Sequence, residues 1–328
     1  MEKKLKIAII GAGAISKSHI DALTGMEDAQ VTAVADIAMN KAEELASKHS
    51  IKAYADYNEM LDKEKPDIAV ITLPHFLHRQ AAVDCAERGC CILLEKPMAM
   101  DEQECDDIIS ICENYGVKLM IGHVRHFYNC YNKIKEMIQS KLLGELIMIT
   151  NVRYGNYFTP SRPDWFLHEK TAGGGIIMNL GAHSFDIIQY LCDSRVKTVS
   201  AKVGRFAVGI EVEGNGQIFA VLENGITASI TLSGYELVPR HETELIFTKG
   251  MIKTTDHNGG TLFMGKNGMY EEIDIGKGNP LRLQMECFVK SIVENKPSPV
   301  TGEYGRSVIH AIKAVYESSE NEGADIRL

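Results

Sequence analysis

A glycine-rich turn and a later aspartate are the first residues whose types and spacing predict chemistry. Gly11-Ala12-Gly13-Ala14-Ile15-Ser16 follows the apolar run Leu5–Ile10 and precedes a segment of helical period. Such glycines let a pyrophosphate approach the backbone, and the N–H groups at the start of a helix attract its charge. Asp36 follows Ser16 by twenty residues, at a place where a carboxylate accepts hydrogen bonds from ribose hydroxyls. Together these residues predict a dinucleotide-binding site.

The charge of Asp36 also bears on which dinucleotide binds. A carboxylate beside the adenosine ribose repels the 2′-phosphate of NADP, so the sequence favours NAD. Lys41 is close enough in the sequence to offset a phosphate, which leaves NADP as the alternative.

Lys96 and His183 are the candidates for moving a proton beside a nicotinamide. Oxidation of an alcohol removes a hydride from carbon and a proton from oxygen, so a group must hold or relay that proton. Lys96 ends a predicted strand at its carboxyl side, where doubly wound sheets bind ligands. His183 precedes the apolar run Ile187–Leu191, near a helix start, and histidine titrates near neutral pH. The alternatives are a surface lysine and a buried, hydrogen-bonded histidine.

Alternating strands and helices must position these residues over the first 123 positions. The predicted strands are Leu5–Ile10, Val31–Ala35, Ile68–Thr72, Cys91–Leu94 and Lys118–Ile121, and the predicted helices are Ser16–Thr24, Lys41–His49, Arg79–Arg88 and Glu102–Tyr115. Strand alternating with helix implies right-handed crossovers and a parallel sheet covered on both faces. This order predicts an α/β, doubly wound domain of the Rossmann type.

The pattern changes after residue 123, where turn signals rather than helices separate most strands. Ile218–Leu222 and Ile226–Leu232 flank Asn224-Gly225, which predicts a hairpin in an antiparallel sheet. Helical period returns at Leu281–Glu294 and Gly305–Asn321. We therefore predict two domains, a dinucleotide-binding domain over 1–123 and a substrate-binding domain over 124–328.

Composition and charge exclude several classes of protein. The 328 residues are 45% hydrophobic and 24% charged, as in folded globular proteins. The formal net charge of −9 disfavours nucleic acid and anionic membranes, and no apolar run is long enough to span a bilayer. The eight cysteines contain no CxxC pair and no signal peptide opens the chain, which favours reduced thiols and a cytoplasmic location. A small-molecule partner is expected instead.

Two histidine pairs have helical spacing without forming a recognisable metal motif. His75 with His78, and His123 with His126, are three residues apart, but no clear third ligand accompanies either pair. No metal is therefore predicted.

Further motifs give the chain a family resemblance. After the glycine-rich turn come Leu73-Pro74-His75-Phe76-Leu77-His78, Glu95-Lys96-Pro97, Gly173-Gly174-Gly175 with Asn179, Gly181, His183 and Asp186, and Pro299-Val300-Thr301-Gly302. This series resembles the Gfo/Idh/MocA family, named for glucose-fructose oxidoreductase, inositol dehydrogenase and a rhizopine-catabolism protein. The resemblance covers essentially the whole chain. It implies a Rossmann domain followed by a C-terminal α/β domain with a large, mainly antiparallel open sheet.

The resemblance also implies an activity and a set of site residues. The activity is hydride transfer between NAD(P) and a hydroxyl-bearing carbon of a sugar, cyclitol or sugar derivative, by a homodimer or homotetramer built on the open sheet. It assigns proton transfer to His183 and orientation of the hydroxyl to Lys96, with Asn179 as a third catalytic position. The implied cofactor contacts are Gly11, Gly13, Ala14, Ile15, Asp36, Leu73, Pro74, His78, Glu95, Lys96 and Trp165, and the implied substrate contacts are His126, Tyr157, Asn179 and His183. For Trp165 and Tyr157, ordinary packing is the alternative.

Four residues depart from patterns found among family members. Asn179 stands where inositol-dehydrogenase-like members carry an aspartate, and an amide cannot take a proton, so a relay through this position is interrupted. Leu73-Pro74-His75 replaces Thr-Pro-Asn, and His126 replaces an arginine. The polarity of the substrate pocket should therefore differ from that of other members.

Two other functions stay open. An NAD-dependent glycosidase would oxidise a sugar transiently, eliminate the aglycone and restore the cofactor. A dinucleotide-sensing regulator would bind the cofactor without catalysis, but the presence of both Lys96 and His183 argues against it.

Overall fold

The chain divides into two units, seen in a computed structural model that describes residues 4–256 and 260–328. One unit combines the chain up to residue 124 with residues 279–306, and the other combines 125–278 with 307–328. The segment 279–306, predicted to lie in the second domain, thus groups with the first unit. No helix in the described part of the chain is long and apolar enough to cross a membrane.

Strands and helices alternate in the first unit, and strands predominate in the second. The helices are α1 (Ala14–Leu23), α2 (Met39–His49), α3 (Tyr57–Glu64), α4 (His78–Glu87), α5 (Glu102–Asn114), α6 (Asn129–Gln139), α7 (Glu169–Ala172), α8 (Ala182–Cys192), α9 (Pro280–Val293) and α10 (Gly302–Glu320). The strands are β1 (Leu5–Ile10), β2 (Ala29–Ala35), β3 (Lys52–Tyr54), β4 (Ile68–Ile71), β5 (Cys91–Leu94), β6 (Leu119–Ile121), β7 (Leu146–Tyr154), β8 (Val196–Gly204), β9 (Asn215–Leu222), β10 (Thr227–Ser233), β11 (Arg240–Phe247), β12 (Gly250–Thr255), β13 (Thr261–Lys266), β14 (Met269–Glu272) and β15 (Ile326–Arg327).

The first unit is built on a parallel sheet. Its described strands run in the order β3-β2-β1-β4-β5-β6, and every pair is parallel. The side chains of 7–10 and 68–71 are fully buried, because helices cover both faces of such a sheet. The strand order reverses between β1 and β4, and ligands bind at the carboxyl ends of strands beside such a reversal. The predicted doubly wound domain is confirmed.

The second unit is built on a mixed sheet. Its described strands run in the order β14-β13-β12-β11-β7-β10-β9-β8-β15, with β7 and β10 parallel and the other pairs antiparallel. The predicted hairpin is confirmed, since β9 and β10 pair around Asn224 and Gly225, whose φ is +86°. Buried and accessible residues alternate along β10, so one face of the sheet is packed and the other is open.

Candidate active site

The glycine-rich turn joins β1 to α1 at the point where the strand order reverses. Gly11 has φ +102°, and a Cβ on it would lie 2.8 Å from the carbonyl oxygen of Thr72, so this position requires glycine. Gly13 is the N-cap of α1 without a side-chain cap, and a Cβ on it would meet nothing within 4 Å. Ala14 and Ile15 begin the helix with no acidic residue in the first turn. The N-terminus of α1 therefore has the form of an anion-binding helix terminus.

Ser16 occupies the third position of the glycine motif, where a smaller residue is usual. It is fully buried, and its Oγ lies 2.9 Å from Oγ1 of Thr72, which itself donates to the carbonyl oxygen of Ile10. Ser16 thus donates to Thr72, and this bond accommodates the larger side chain between α1 and the end of β4.

Asp36 follows β2 and is hydrogen-bonded to the glycine-rich turn. Its Oδ2 accepts a hydrogen bond from the backbone N–H of Ala12 at 2.7 Å, and its Oδ1 accepts one from Ala38 at 2.8 Å. A carboxylate has about four acceptor sites, so both oxygens can still accept bonds from ribose hydroxyls. The turn and Asp36 together fit the adenosine and pyrophosphate parts of a dinucleotide.

His78 is directed into the protein, which differs from its predicted contact with the cofactor. Its ring is 1% exposed, with Nε2 2.9 Å from the carbonyl oxygen of Leu73 and Nδ1 3.0 Å from that of Pro97. Burial lowers the pKa of His78 below its ordinary value. The imidazole therefore connects the loop after β4, which contains Leu73 and Pro74, to the loop after β5.

Glu95 is also buried and bonded to neighbours, and its contact with the cofactor stays a prediction. Its Oε1 lies 2.8 Å from Nε2 of His19 on α1, and its Oε2 accepts the backbone N–H of Lys96 at 3.2 Å. Burial alone would raise the pKa of Glu95, but the hydrogen bond from His19 and the charges of His19 and Lys96 hold it below its ordinary value. Glu95 and Pro97 are buried whereas Lys96 is partly accessible. The lysine side chain is therefore the accessible group of this turn.

The three glycines of the second unit allow the chain to pack closely on Glu213. A Cβ on Gly174 would lie 2.0 Å from the Tyr316 hydroxyl, and one on Gly175 would lie 2.1 Å from the carbonyl oxygen of Glu213. The buried Glu213 carboxylate accepts bonds at 2.9 Å from the N–H groups of Gly175 and Ile177 and from the Tyr316 hydroxyl. Burial raises the pKa of Glu213. The sequence analysis missed this residue, because no motif marks it.

Asn179 and His183 lie on the accessible side of the helical stretch that follows. Within residues 174–189, every side chain is buried except those of Asn179, Leu180 and His183. A π-helical turn, Ile177–Gly181, runs directly into α8. His183 is the second residue of α8, near a helix start as predicted, but the π-helical turn continues the helix on its N-terminal side. Asn179 and His183 are one turn apart on the same side.

Tyr157 is a buried neighbour of Asn179. It is 2% exposed, and the amide of Asn179 donates a hydrogen bond to its hydroxyl oxygen. Burial raises the pKa of Tyr157. The hydroxyl donates in turn to the carbonyl oxygen of Phe166 at 3.4 Å, and the predicted contact of Tyr157 with a substrate stays a prediction.

His126 also has a supporting position, although the sequence predicted a substrate contact. Its Nε2 lies 2.6 Å from Oδ1 of Asp186 on α8, and its ring stacks on Tyr190 with centroids 4.0 Å apart. The side chain of Asp186 is fully buried and that of His126 is 9% exposed. This pair attaches the segment before α6 to the helix that carries His183.

Trp165 lies in a short 3₁₀ turn, Asp164–Leu167, of the second unit. It is partly accessible, and its ring stacks on Phe166 with centroids 3.7 Å apart. Its contact with the cofactor stays a prediction. Among the described residues, no cluster of three or more histidine, cysteine, aspartate or glutamate side chains could hold a metal ion.

Two family models match the chain. One is described as an oxidoreductase family with an NAD-binding Rossmann fold and matches residues 5–123. The other is the GFO/IDH/MocA C-terminal domain and matches residues 131–253. Both units are therefore matched by parts of one family.

The chain also resembles individual proteins, at 30% sequence identity or less. A 1-carboxy-3-chloro-3,4-dihydroxycyclo hexa-1,5-diene dehydrogenase of Comamonas testosteroni is 30% identical over 52% of this chain, and the match spans 44% of that protein. Inositol 2-dehydrogenase 1 of Paenarthrobacter aurescens is 25% identical, with 79% of this chain and 76% of that protein covered. An aldose-aldose oxidoreductase from Caulobacter crescentus, complexed with glycerol, superposes with a TM-score of 0.91 over 99% of this chain and 100% of that chain. At 22% identity, this last similarity is one of fold.

Proposed function

Because this chain belongs to the Gfo/Idh/MocA family of NAD-binding oxidoreductases, we propose that it transfers a hydride between NAD and a hydroxyl-bearing carbon of a sugar, cyclitol or sugar derivative. Some relatives carry names of this kind, among them an inositol dehydrogenase and a dehydrogenase of a dihydroxylated ring. The substrate is taken to be polyhydroxylated for this reason.

One observation carries the proposal. Lys96 follows β5 at the same sheet edge where the glycine-rich turn follows β1 and Asp36 follows β2. The residues that fit a dinucleotide and an accessible lysine therefore share the carboxyl ends of one parallel sheet.

NAD, when bound, supplies the carbon that accepts the hydride. The Lys96 ammonium donates a hydrogen bond to the substrate oxygen and stabilises negative charge that develops there. The imidazole of His183 takes the proton from that oxygen, and it returns the proton in the reverse direction. Asn179 cannot carry the proton further because an amide has no site for it at neutral pH. The proton therefore leaves His183 for solvent, which reaches this partly accessible side chain.

Assembly and location complete the proposal. The open face of the mixed sheet supports association into a homodimer or homotetramer. All eight cysteines are free thiols, which supports a reducing, cytoplasmic environment.

Lys96→Met tests the proposal, since methionine keeps the length of the side chain and removes the charge. Formation of NADH is followed with a panel of neutral and acidic polyols. We expect at least a roughly hundredfold loss of kcat, the lower range for a positioned acid–base group, with unchanged circular dichroism. The control is Lys48→Met, an exposed lysine paired with Glu44, which should retain full activity. Full activity of the Lys96 variant would contradict the proposal, and release of an aglycone without net NADH would favour the glycosidase.

A further inference from the structure

The guanidinium of Arg162 is held over aromatic rings in the loop that follows β7. Its Cζ lies 4.0 Å from the centroid of the Tyr157 ring and 4.9 Å from that of Phe166. Its Nε donates a hydrogen bond to the carbonyl oxygen of Tyr157. The side chain is partly accessible, so a ligand can reach it. Within 4–256 and 260–328 the bond to Tyr157 is the one hydrogen bond of this side chain, so four of its five N–H groups are left for other partners.

Arg162 has no acidic partner among the described residues, within 4.0 Å of its nitrogen atoms. Four other arginines of the same unit do have one: Arg125 and Arg153 pair with Asp256, Arg205 with Glu169, and Arg240 with Glu242. Burial lowers the pKa of Arg162, which reflects the cost of a partly desolvated and uncompensated charge. An anion that reaches this guanidinium would offset that cost.

The position of Arg162 connects it to the catalytic stretch. The Tyr157 ring that it covers is the one whose hydroxyl accepts a bond from Asn179. Asn179 and His183 share the accessible side of their helix. Arg162 is therefore one aromatic ring away from Asn179, which lies one helical turn from His183.

We infer that Arg162 binds an anionic group of the substrate, a carboxylate or a phosphate, so that the substrate is an acidic polyol such as a sugar acid or a sugar phosphate. This inference rests on the proposed function for the identity of the site. A planar guanidinium with paired N–H groups matches the two oxygens of such an anion, and bonds between opposite charges are about twice as strong as neutral ones.

Trp165 provides a binding assay that does not depend on turnover. It is the only tryptophan of the chain and stacks on Phe166, over which Arg162 lies. Protein saturated with NADH, which cannot oxidise a polyol, is titrated with matched pairs while tryptophan emission is followed. The pairs are glucose with glucuronate, galactose with galacturonate, glucose with glucose 6-phosphate, and inositol with inositol 1-phosphate.

We expect at least one acidic member to bind at least about tenfold more tightly than its neutral counterpart. Carboxylate and phosphate members separate the two sources of the anion. Arg162→Gln should abolish the preference without changing the affinity for neutral polyols or for NADH, whereas Arg162→Lys should keep part of it. Arg240→Gln, which removes an exposed arginine paired with Glu242, should keep all of it.

Three results would overturn the inference: no acidic member preferred by the wild-type protein, the preference retained in Arg162→Gln, or an equal loss of NADH affinity in that variant. The first comparison needs no variant, so a folding defect in Arg162→Gln would not prevent the test. Acid preference without oxidation of any polyol would preserve the inference and refute the proposed function. Oxidation of neutral and acidic polyols with equal efficiency would preserve the proposed function and refute the inference about Arg162.

Discussion

At the scale of single residues, the side chains of the candidate site divide into partly accessible ones and buried ones. Asp36, Lys96, Asn179 and His183 are partly accessible, whereas Glu95, His78 and Tyr157 are buried and bonded to neighbours. A motif in the sequence identifies both groups without separating them, because burial depends on the surrounding fold. Two of the buried ones, Glu95 and Tyr157, each support one accessible residue directly.

Asp36→Ala should change the preference for the cofactor. Loss of the carboxylate removes acceptors for ribose hydroxyls and the repulsion of a 2′-phosphate. We expect NADH to bind roughly tenfold more weakly, because charge-assisted hydrogen bonds are lost. The discrimination against NADPH should shrink. Nicotinamide emission measures both affinities. Asp28→Ala, an exposed aspartate, serves as the control; an unchanged ratio of the two affinities would show that Asp36 does not contact the ribose.

Tyr157→Phe should impair the orientation of Asn179 while leaving the aromatic ring in place. The hydrogen bond from Asn179, worth about 1 kcal/mol, is lost, which predicts a fall in kcat of roughly fivefold. The KM for NAD should not change, since phenylalanine keeps the ring under Arg162 and the bonds lost are those to Asn179 and Phe166, neither of which is a predicted cofactor contact. Tyr190→Phe is the matched control, because it removes a hydroxyl that donates to the side-chain oxygen of Asn132 at 2.7 Å. A change in the KM for NAD with constant kcat would contradict the role of Tyr157 in orienting Asn179.

At the scale of elements, the buried acids Glu95 and Glu213 fix the two turns that carry the candidate catalytic residues. Glu95 connects α1 to the turn after β5, and Glu213 anchors the glycine run that leads into α8. The sequence predicted most strands of the first unit but not β3 and α3. In α3 only Met60, Leu61 and Glu64 are buried, so its apolar periodicity is weak. The available signal was Asp56, whose side chain caps the helix by accepting from Asn58.

Glu213→Gln should loosen the glycine run. Glutamine has one acceptor oxygen and adds N–H donors, so it cannot satisfy the N–H groups of Gly175 and Ile177 together with the Tyr316 hydroxyl. We expect the free energy of unfolding to fall by about 1–3 kcal/mol. We also expect kcat to fall, because the glycine run leads into the π-helical turn that carries Asn179. Thermal and urea unfolding measure the first effect.

Tyr316→Phe, which removes one donor to Glu213, should cost less than Glu213→Gln. If the two variants were equally stable, the bonds to the backbone would contribute nothing.

Glu95 should make stability depend on pH. Its pKa is below its ordinary value of 4.5 in the folded chain, so the unfolded chain binds the proton first as the pH falls. The stabilisation is complete above the unfolded pKa and is lost as the pH decreases from about 5 through the folded value. Glu95→Gln should therefore lose less stability than the wild-type protein between pH 7 and about pH 4, as measured by urea unfolding. Parallel losses would contradict the bond between Glu95 and His19.

At the scale of the whole molecule, the fold class, the family and the NAD-binding oxidoreductase class were predicted from the sequence and are confirmed. The glycine motif and alternating strands and helices are local patterns, so a single sequence displays them. The return of 279–306 to the first unit was not predictable, because nothing in a helical period indicates which sheet the helix packs against. The burial of His78 and His126 was missed for the same reason, since each has a partner from another loop or helix, Pro97 for His78 and Asp186 for His126.

Transfer of deuterium tests the central claim most directly. The best substrate of the polyol panel is prepared with deuterium on the carbon that is oxidised, and the NADH formed is analysed by mass spectrometry. Direct hydride transfer should place one deuterium on the nicotinamide for each substrate oxidised, and this NADH should not form with Lys96→Met. Deuterium released to water, or product formed without net NADH, would contradict it.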